Sequence, residues 1–247
     1  MIGERMDATE VLAAAGLLLG AAVAFFVSAA AGLGGSLVLV PLLSLSLGSK
    51  EGISLAALLL AMNNFVKLWA YRRVLPVKAA GVVVLCTVLG AFVGARLLVA
   101  APARLVDAAV VISLAVAFFA ERRRLGAWRL SLAPTLALAA GATSGFSGTS
   151  GPLKGVAIRS LGFDRLHTVG AAALASAAAD VTKTAVFAHA GLLGGYALTL
   201  ALVAIPLMVI ATFAGRHFTQ AIGEKGYAGV FWVVIGGYTV RLLLQAR

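Results

Sequence analysis

The sequence predicts an all-α polytopic membrane protein made of two inverted repeats, each a broken or re-entrant Gly-rich helical hairpin plus about three spanning helices. Three observations lead there: a composition that only lipid can solvate, two apolar runs too long for one crossing, and polar residues that recur at matching places in the two halves. Of the 247 residues, 62% are hydrophobic and 12% charged, with a further 28 glycines and a mean hydropathy of +1.04. Soluble proteins are about half apolar and about a quarter charged. A chain of this length supports roughly eight to ten spanning elements and leaves no soluble domain over.

The formal net charge is +11. The basic residues stand in short clusters between apolar runs, which is the pattern of loops that fix membrane orientation rather than of a nucleic-acid surface. The expected partners are therefore the lipid bilayer and a small solute, with no nucleic acid. Cys86 is the single cysteine and the three histidines are far apart, so neither a metal site, a cofactor nor a disulfide framework is expected. The opening "MIGERMDATE" precedes an apolar run longer than a signal-peptide core and is read as retained.

The apolar runs cover about 11–47, 52–70, 77–100, 104–120, 127–158, 166–190, 194–215 and 226–244. Most are near the roughly 20 residues of one crossing, but the first and fifth exceed 30. A straight helix of 37 residues would be about 55 Å long against about 30 Å of hydrocarbon, so both must fold back. Each holds a small-residue cluster where the turn is required, "SAAAGLGGS" at 28–36 and "GATSGFSGTSGP" at 141–152. Setting Gly32 on Gly145 and Gly35 on Gly148 gives a shift of 113; "NNFVK" falls on "ADVTK" at 116, and "GAR" at 94–96 on "GRH" at 215–217 at 121. The drift reads as small loop insertions in an internal duplication, with a first repeat at 1–124 and a second at 125–247. If each long run crosses once, Lys and Arg divide ten inside to eight outside. If each is a hairpin, the division becomes twelve to six, with Lys154 counted among the cytoplasmic loop residues. The hairpin assignment satisfies the positive-inside rule better and makes the repeats inverted.

The chemistry is expected in the second and sixth runs. Lys67 lies about one turn past the centre of "ISLAALLLAMNNFVKLWAYRR", with Asn63 and Asn64 at the centre, and its counterpart Lys183 follows Asp180 in "GAAALASAAADVTKTAVF". A charged residue near the midplane costs a few kcal/mol and usually faces a polar interior or a pathway. At a spacing of three, Asn64 shares a face with Lys67 and Asp180 with Lys183, so each repeat offers a polar pair inward. The plainer readings are a Lys67 that snorkels toward Arg72 and an Asp180–Lys183 ion pair that only holds helices together.

The glycine breaks supply the second ingredient. A helix restarting after Gly34 and Gly35 with Ser36 in its first turn, or after Ser147 and Gly148 with Thr149 and Ser150, aims free N–H groups and hydroxyls into a cavity, an arrangement suited to an anion. The plainer reading is close helix packing of the small-xxx-small kind. Together these features describe a secondary transporter working by alternating access on a small anion, with Asp180 as the candidate carrier of a coupling proton.

"GLGGSLVLVPLL" at 32–43, "GATSGFSGTSGP" at 141–152 and "GAFVGARL" at 90–97 resemble the TauE/SafE family, the sulfite exporter or toluene sulfonate uptake permease group, in an order that extends over nearly the whole chain. The resemblance implies transport of sulfite, organosulfonates or related sulfur-containing anions across a bacterial inner membrane. Ser36 stands where members of that family commonly carry a fuller glycine run, a departure that bears on the particular substrate.

Two other functions compete. The same inward lysines suit a passive anion channel. "GTSG" at 148–151 matches a form used by some intramembrane serine proteases, with Ser150 as nucleophile and His189 as base, but four small residues in a glycine-rich region arise easily by chance and leave Lys67 unexplained. The chain is therefore not expected to be an enzyme. His167, His217 and Trp128 lie near expected membrane boundaries and read as anchors or as residues without a role, and Arg96 as an interfacial residue or a gate.

Overall fold

The computed structural model describes residues 8–31, 35–122 and 130–221. Among them it is all-helical: α1 (Ala8–Ala31), α2 (Gly35–Leu47), α3 (Ser49–Ala70), α4 (Val77–Ala100), α5 (Ala103–Arg122), α6 (Ala133–Ser147), α7 (Gly151–Arg159), α8 (Arg165–His189) and α9 (Gly195–Ala221). The run at 226–244, Trp128, Gly32 and Gly34 lie outside the described residues. Four described helices, 49–70, 77–100, 166–189 and 195–215, are long and apolar enough to cross a bilayer, and the protein is a multi-pass membrane protein.

Both long apolar runs are broken, as their length demands. The first divides into α1 and α2, and the fifth into α6 and α7. The 13 residues of α2 and 9 of α7 rise about 20 and 14 Å, too little for a crossing, and each packs against the helix before it. Gly148 ends α6 in the left-handed conformation (φ 77°), which glycine adopts without penalty. Gly145, expected in the break, instead lies inside α6, because its role is packing: a β-carbon there would stand 2.4 Å from the Ala91 carbonyl oxygen of α4.

The helices interleave along the chain. α4 packs along α6 and α9 along α1, while α3 packs against α8 and also touches α9, and α8 touches α4. More than half of the α3 and α8 spans is buried, against 39% for α4 and 28% for α9. The first pair is therefore interior and the second carries the lipid-facing side chains, such as Leu85, Leu89, Leu202 and Ile210. Apolar exposure of this extent is what a hydrocarbon solvent permits.

At the start of α8 the Asp164 carboxylate accepts hydrogen bonds from the His167 backbone N–H (2.9 Å) and from its ring Nδ1 (2.6 Å). The His167 backbone, then its side chain, holds the Asp164 pKa below its ordinary value of 3.8. A carboxyl depressed by folding stabilises the protein above its unfolded pKa and loses that effect as pH falls through the folded one. The Tm deficit of Asp164→Ala relative to the unsubstituted protein is thus expected to be full at pH 7 and to shrink below about pH 4. A deficit that stays constant down to pH 3 contradicts this.

Candidate functional site

Where α3 meets α8, an apolar protein buries a chain of polar side chains. Asn63, Asn64 and Lys67 of α3 and Asp180 and Lys183 of α8 are each at most 6% exposed. The Asn64 amide donates to one carboxylate oxygen of Asp180 (2.7 Å), and the Lys183 ammonium pairs with the other (2.6 Å). Each lysine also donates to a serine of a neighbouring helix: Lys67 to Ser28 of α1 and Lys183 to Ser144 of α6, both at 2.9 Å. The snorkelling alternative for Lys67 is thereby replaced, since its ammonium turns inward to α1 rather than toward Arg72.

The two lysine–serine pairs span the same sequence separation, 39 residues, and Asn64 and Asp180 are 116 apart. A shift of 116 carries Ser28 to Ser144, Asn64 to Asp180 and Lys67 to Lys183. It also carries the first residues of α2 and α3 to those of α7 and α8. The shift of 113 taken from the glycines at 32–35 is therefore three residues short: by helix starts, Gly35 answers Gly151. A β-carbon on Gly35 would stand 2.6 Å from that of Ser28, so α2 starts directly against the residue that holds Lys67.

Sequence reasoning placed Lys154 in a loop. It belongs to the short helix α7, is partly buried, and donates to Ser176 of α8 at 2.8 Å. It lies within electrostatic reach of Lys67, Lys183 and Asp180. Three lysine amines thus lie within electrostatic reach of one carboxylate, and one of them, Lys183, pairs with it directly. The signal was its place inside the fifth apolar run, four residues after Ser150, where a loop cation would not be expected.

The glycine-break residues divide. Ser147 donates to the Thr143 and Thr149 carbonyls, and Thr149 to Ser113 of α5, so both hydroxyls are engaged within the protein. Gly148 closes on Val40 and Ile53, and Ser36 sits partly buried in the first turn of α2. Ser150 is buried at the start of α7 and its side chain makes no capping hydrogen bond. His189 lies at the exposed end of α8, 13 residues and about 20 Å of helix beyond Ser176, the α8 residue that Lys154 reaches. No hydrogen bond joins it to Ser150 among the described residues. Arg96 and His217 are exposed on α4 and α9.

Asn63 completes the site. Its carbonyl oxygen accepts from Thr212 of α9 (2.7 Å), while its buried amide nitrogen has no partner among the described residues, and neither has the Asn64 carbonyl oxygen. Buried polar groups are almost always satisfied, so an unpaired donor one turn from Lys67 on the same face is an open hydrogen-bonding position. No curated protein and no solved structure matches this chain. The family model described as sulfite exporter TauE/SafE matches residues 17–242. With nearly the whole chain matched and a buried cationic cluster at the centre of a multi-pass helical fold, the chain belongs to the TauE/SafE family of membrane transport proteins.

Proposed function

We propose that the protein is a secondary transporter that carries a small sulfur-containing anion, sulfite or an organosulfonate, across the bacterial inner membrane by alternating access, with Asp180 carrying the coupling proton. Lys67, Lys183, Asn63 and Asn64 bind the anion, and the helix starts at Gly35–Ser36 and Ser150 border it. The observation that carries this reading is the shared carboxylate: Asn64 and Lys183 meet on Asp180, at a contact between helices from opposite halves of the chain. A charge cluster of this kind in a membrane interior costs several kcal/mol unless it serves a ligand or a path.

Two inverted repeats, 1–124 and 125–247, give the mechanism its geometry. The constant shift of 116 and the crossed packing of α4 on α6 and α9 on α1 support that division. In such a fold one set of helices rocks against the other around a site at their contact. Hydrogen bonds between the site side chains and α1, α6 and α9 would register that motion directly, because each joins one of those helices to a residue of α3 or α8.

The test is uptake of radiolabelled sulfite into proteoliposomes under an imposed proton gradient. The unsubstituted protein is expected to accumulate the anion above its external concentration. Lys67→Ala, which orphans only the Ser28 hydroxyl, is expected to reduce uptake at least tenfold while the purified protein keeps its Tm within a few degrees. Accumulation unaffected by Lys67→Ala removes the site; flux that only equilibrates the anion makes the protein a passive channel.

A further inference from the structure

The charges around Asp180 do not balance. Lys183 is paired with the carboxylate at 2.6 Å, whereas among the described residues Lys67 and Lys154 have only serine hydroxyls as partners, Ser28 and Ser176. Among the described residues no second carboxylate pairs with these lysines, so three lysine amines stand against one carboxylate. The low-dielectric interior makes it costly to charge both of the unpaired amines without a counter-ion, and a ligand carrying two negative charges relieves that cost.

The hydrogen-bonding capacity has the same bias. Ser28, Ser144 and Ser176 each accept from an ammonium group, and among the described residues none donates onward. A hydroxyl that accepts still has one proton to give. Ser54, Thr87 and Thr184, by contrast, return theirs to a carbonyl four residues back in their own helices. With the free Asn63 amide, the cluster is rich in donors, while the one acceptor left open is the Asn64 carbonyl oxygen. Such a set fits a ligand that is all acceptor and has several charged oxygens.

We propose that Lys154 is a third anion-binding lysine and that it makes the site selective for doubly charged oxyanions over singly charged sulfonates. This rests on the anion site proposed above and narrows its substrate class. Lys154 is the asymmetric element. At the shift of 116 that relates Lys67 to Lys183, its position answers Val38, a buried apolar residue of α2. The second charge excess therefore comes from one half alone, on a helix of nine residues that begins at the break after Gly148.

Sulfate and methanesulfonate separate charge from size, because one replaces a charged oxygen by a methyl group on the same tetrahedral centre. Binding of sulfate, thiosulfate and methanesulfonate to the purified full-length protein is measured by titration calorimetry at pH 7.5 and constant ionic strength. Sulfate and thiosulfate are expected to bind at least tenfold more tightly than methanesulfonate. Lys154→Gln is expected to narrow that ratio to about threefold by weakening the dianions alone. Equal affinity of all three for the unsubstituted protein, or a ratio unmoved by Lys154→Gln, overturns the assignment. If the anions bind equally and Lys67→Ala abolishes binding, the site stands and the charge selection falls; if none of them binds, both fall. Should Lys154→Gln fail to fold, Lys154→Arg decides, being expected to keep the ratio above tenfold.

Discussion

Gly94→Val is expected to leave almost no folded protein in the membrane fraction, the largest effect of any single change away from the charged cluster. A β-carbon on Gly94 would stand 2.1 Å from the Ala142 carbonyl oxygen of α6, and one on Gly90 the same distance from Leu138. The approach is reciprocal, since a β-carbon on Gly141 of α6 would stand 2.1 Å from the Thr87 carbonyl oxygen and one on Gly145 2.4 Å from that of Ala91. These neighbours are backbone, so no rotamer change relieves the clash and the helix axes must part. In a membrane, close packing of this kind is the main force between helices, because burying apolar side chains away from lipid gains little. Overpacking costs typically about 1–3 kcal/mol where side chains can yield, and more where only backbone can move. Total stability is on the order of 5–15 kcal/mol. Gly81→Ala on the same helix is the control, as its β-carbon would meet nothing within 4 Å. Fluorescence-detected size exclusion of the two variants reads the outcome, and a Gly94→Val protein that elutes and melts like the parent refutes the packing argument.

The contrast between Gly94 and Lys154 marks how far the sequence could be read. Composition and run length were enough for the helical membrane fold and for the two breaks, because both follow from lipid thickness and the cost of unpaired backbone. Lys67, Asn64, Asp180 and Lys183 were legible for a related reason: polar residues near the midplane of apolar runs stand out. Their partners were not. Ser28 and Ser144 look like ordinary small residues, and only the equal separation from their lysines, 39 residues in each half, sets them apart. Thr212 carries no local signal at all, since its hydrogen bond to Asn63 depends on how α9 lies against α3. Lys154 was counted as a loop cation because helix ends set by hydropathy alone do not show a nine-residue helix. Hydroxyls beside a helix break are suited to anions, and the sequence does not show that Ser147 donates to the Thr143 and Thr149 carbonyls and Thr149 to Ser113. Hydrogen-bond capacity is visible in a sequence, whereas its allocation is decided by tertiary packing.

Asp180 and Lys183 decide how much of the cluster is structure and how much is function, and double substitution separates the two. Asp180→Leu alone is expected to lower Tm on the order of 10 °C. It leaves Lys183 buried without its partner, and removing one member of a buried pair costs about 3–5 kcal/mol. It also leaves the Asn64 amide without its acceptor and three lysine amines with no carboxylate among them in the described residues. Asp180→Leu combined with Lys183→Met replaces the pair by apolar side chains of similar volume, a change that is often neutral for stability. Here the recovery is expected to be partial, because Asn64 stays unsatisfied and Lys67 and Lys154 still repel each other. At least half of the lost Tm should return. Transport should not, since the double variant retains the packing but has neither the carboxylate nor the lysine that would meet the anion. A double variant that regains both would make the pair a strut between helices and nothing more; an Asp180→Leu protein as stable as the parent would mean the buried charges do not need one another.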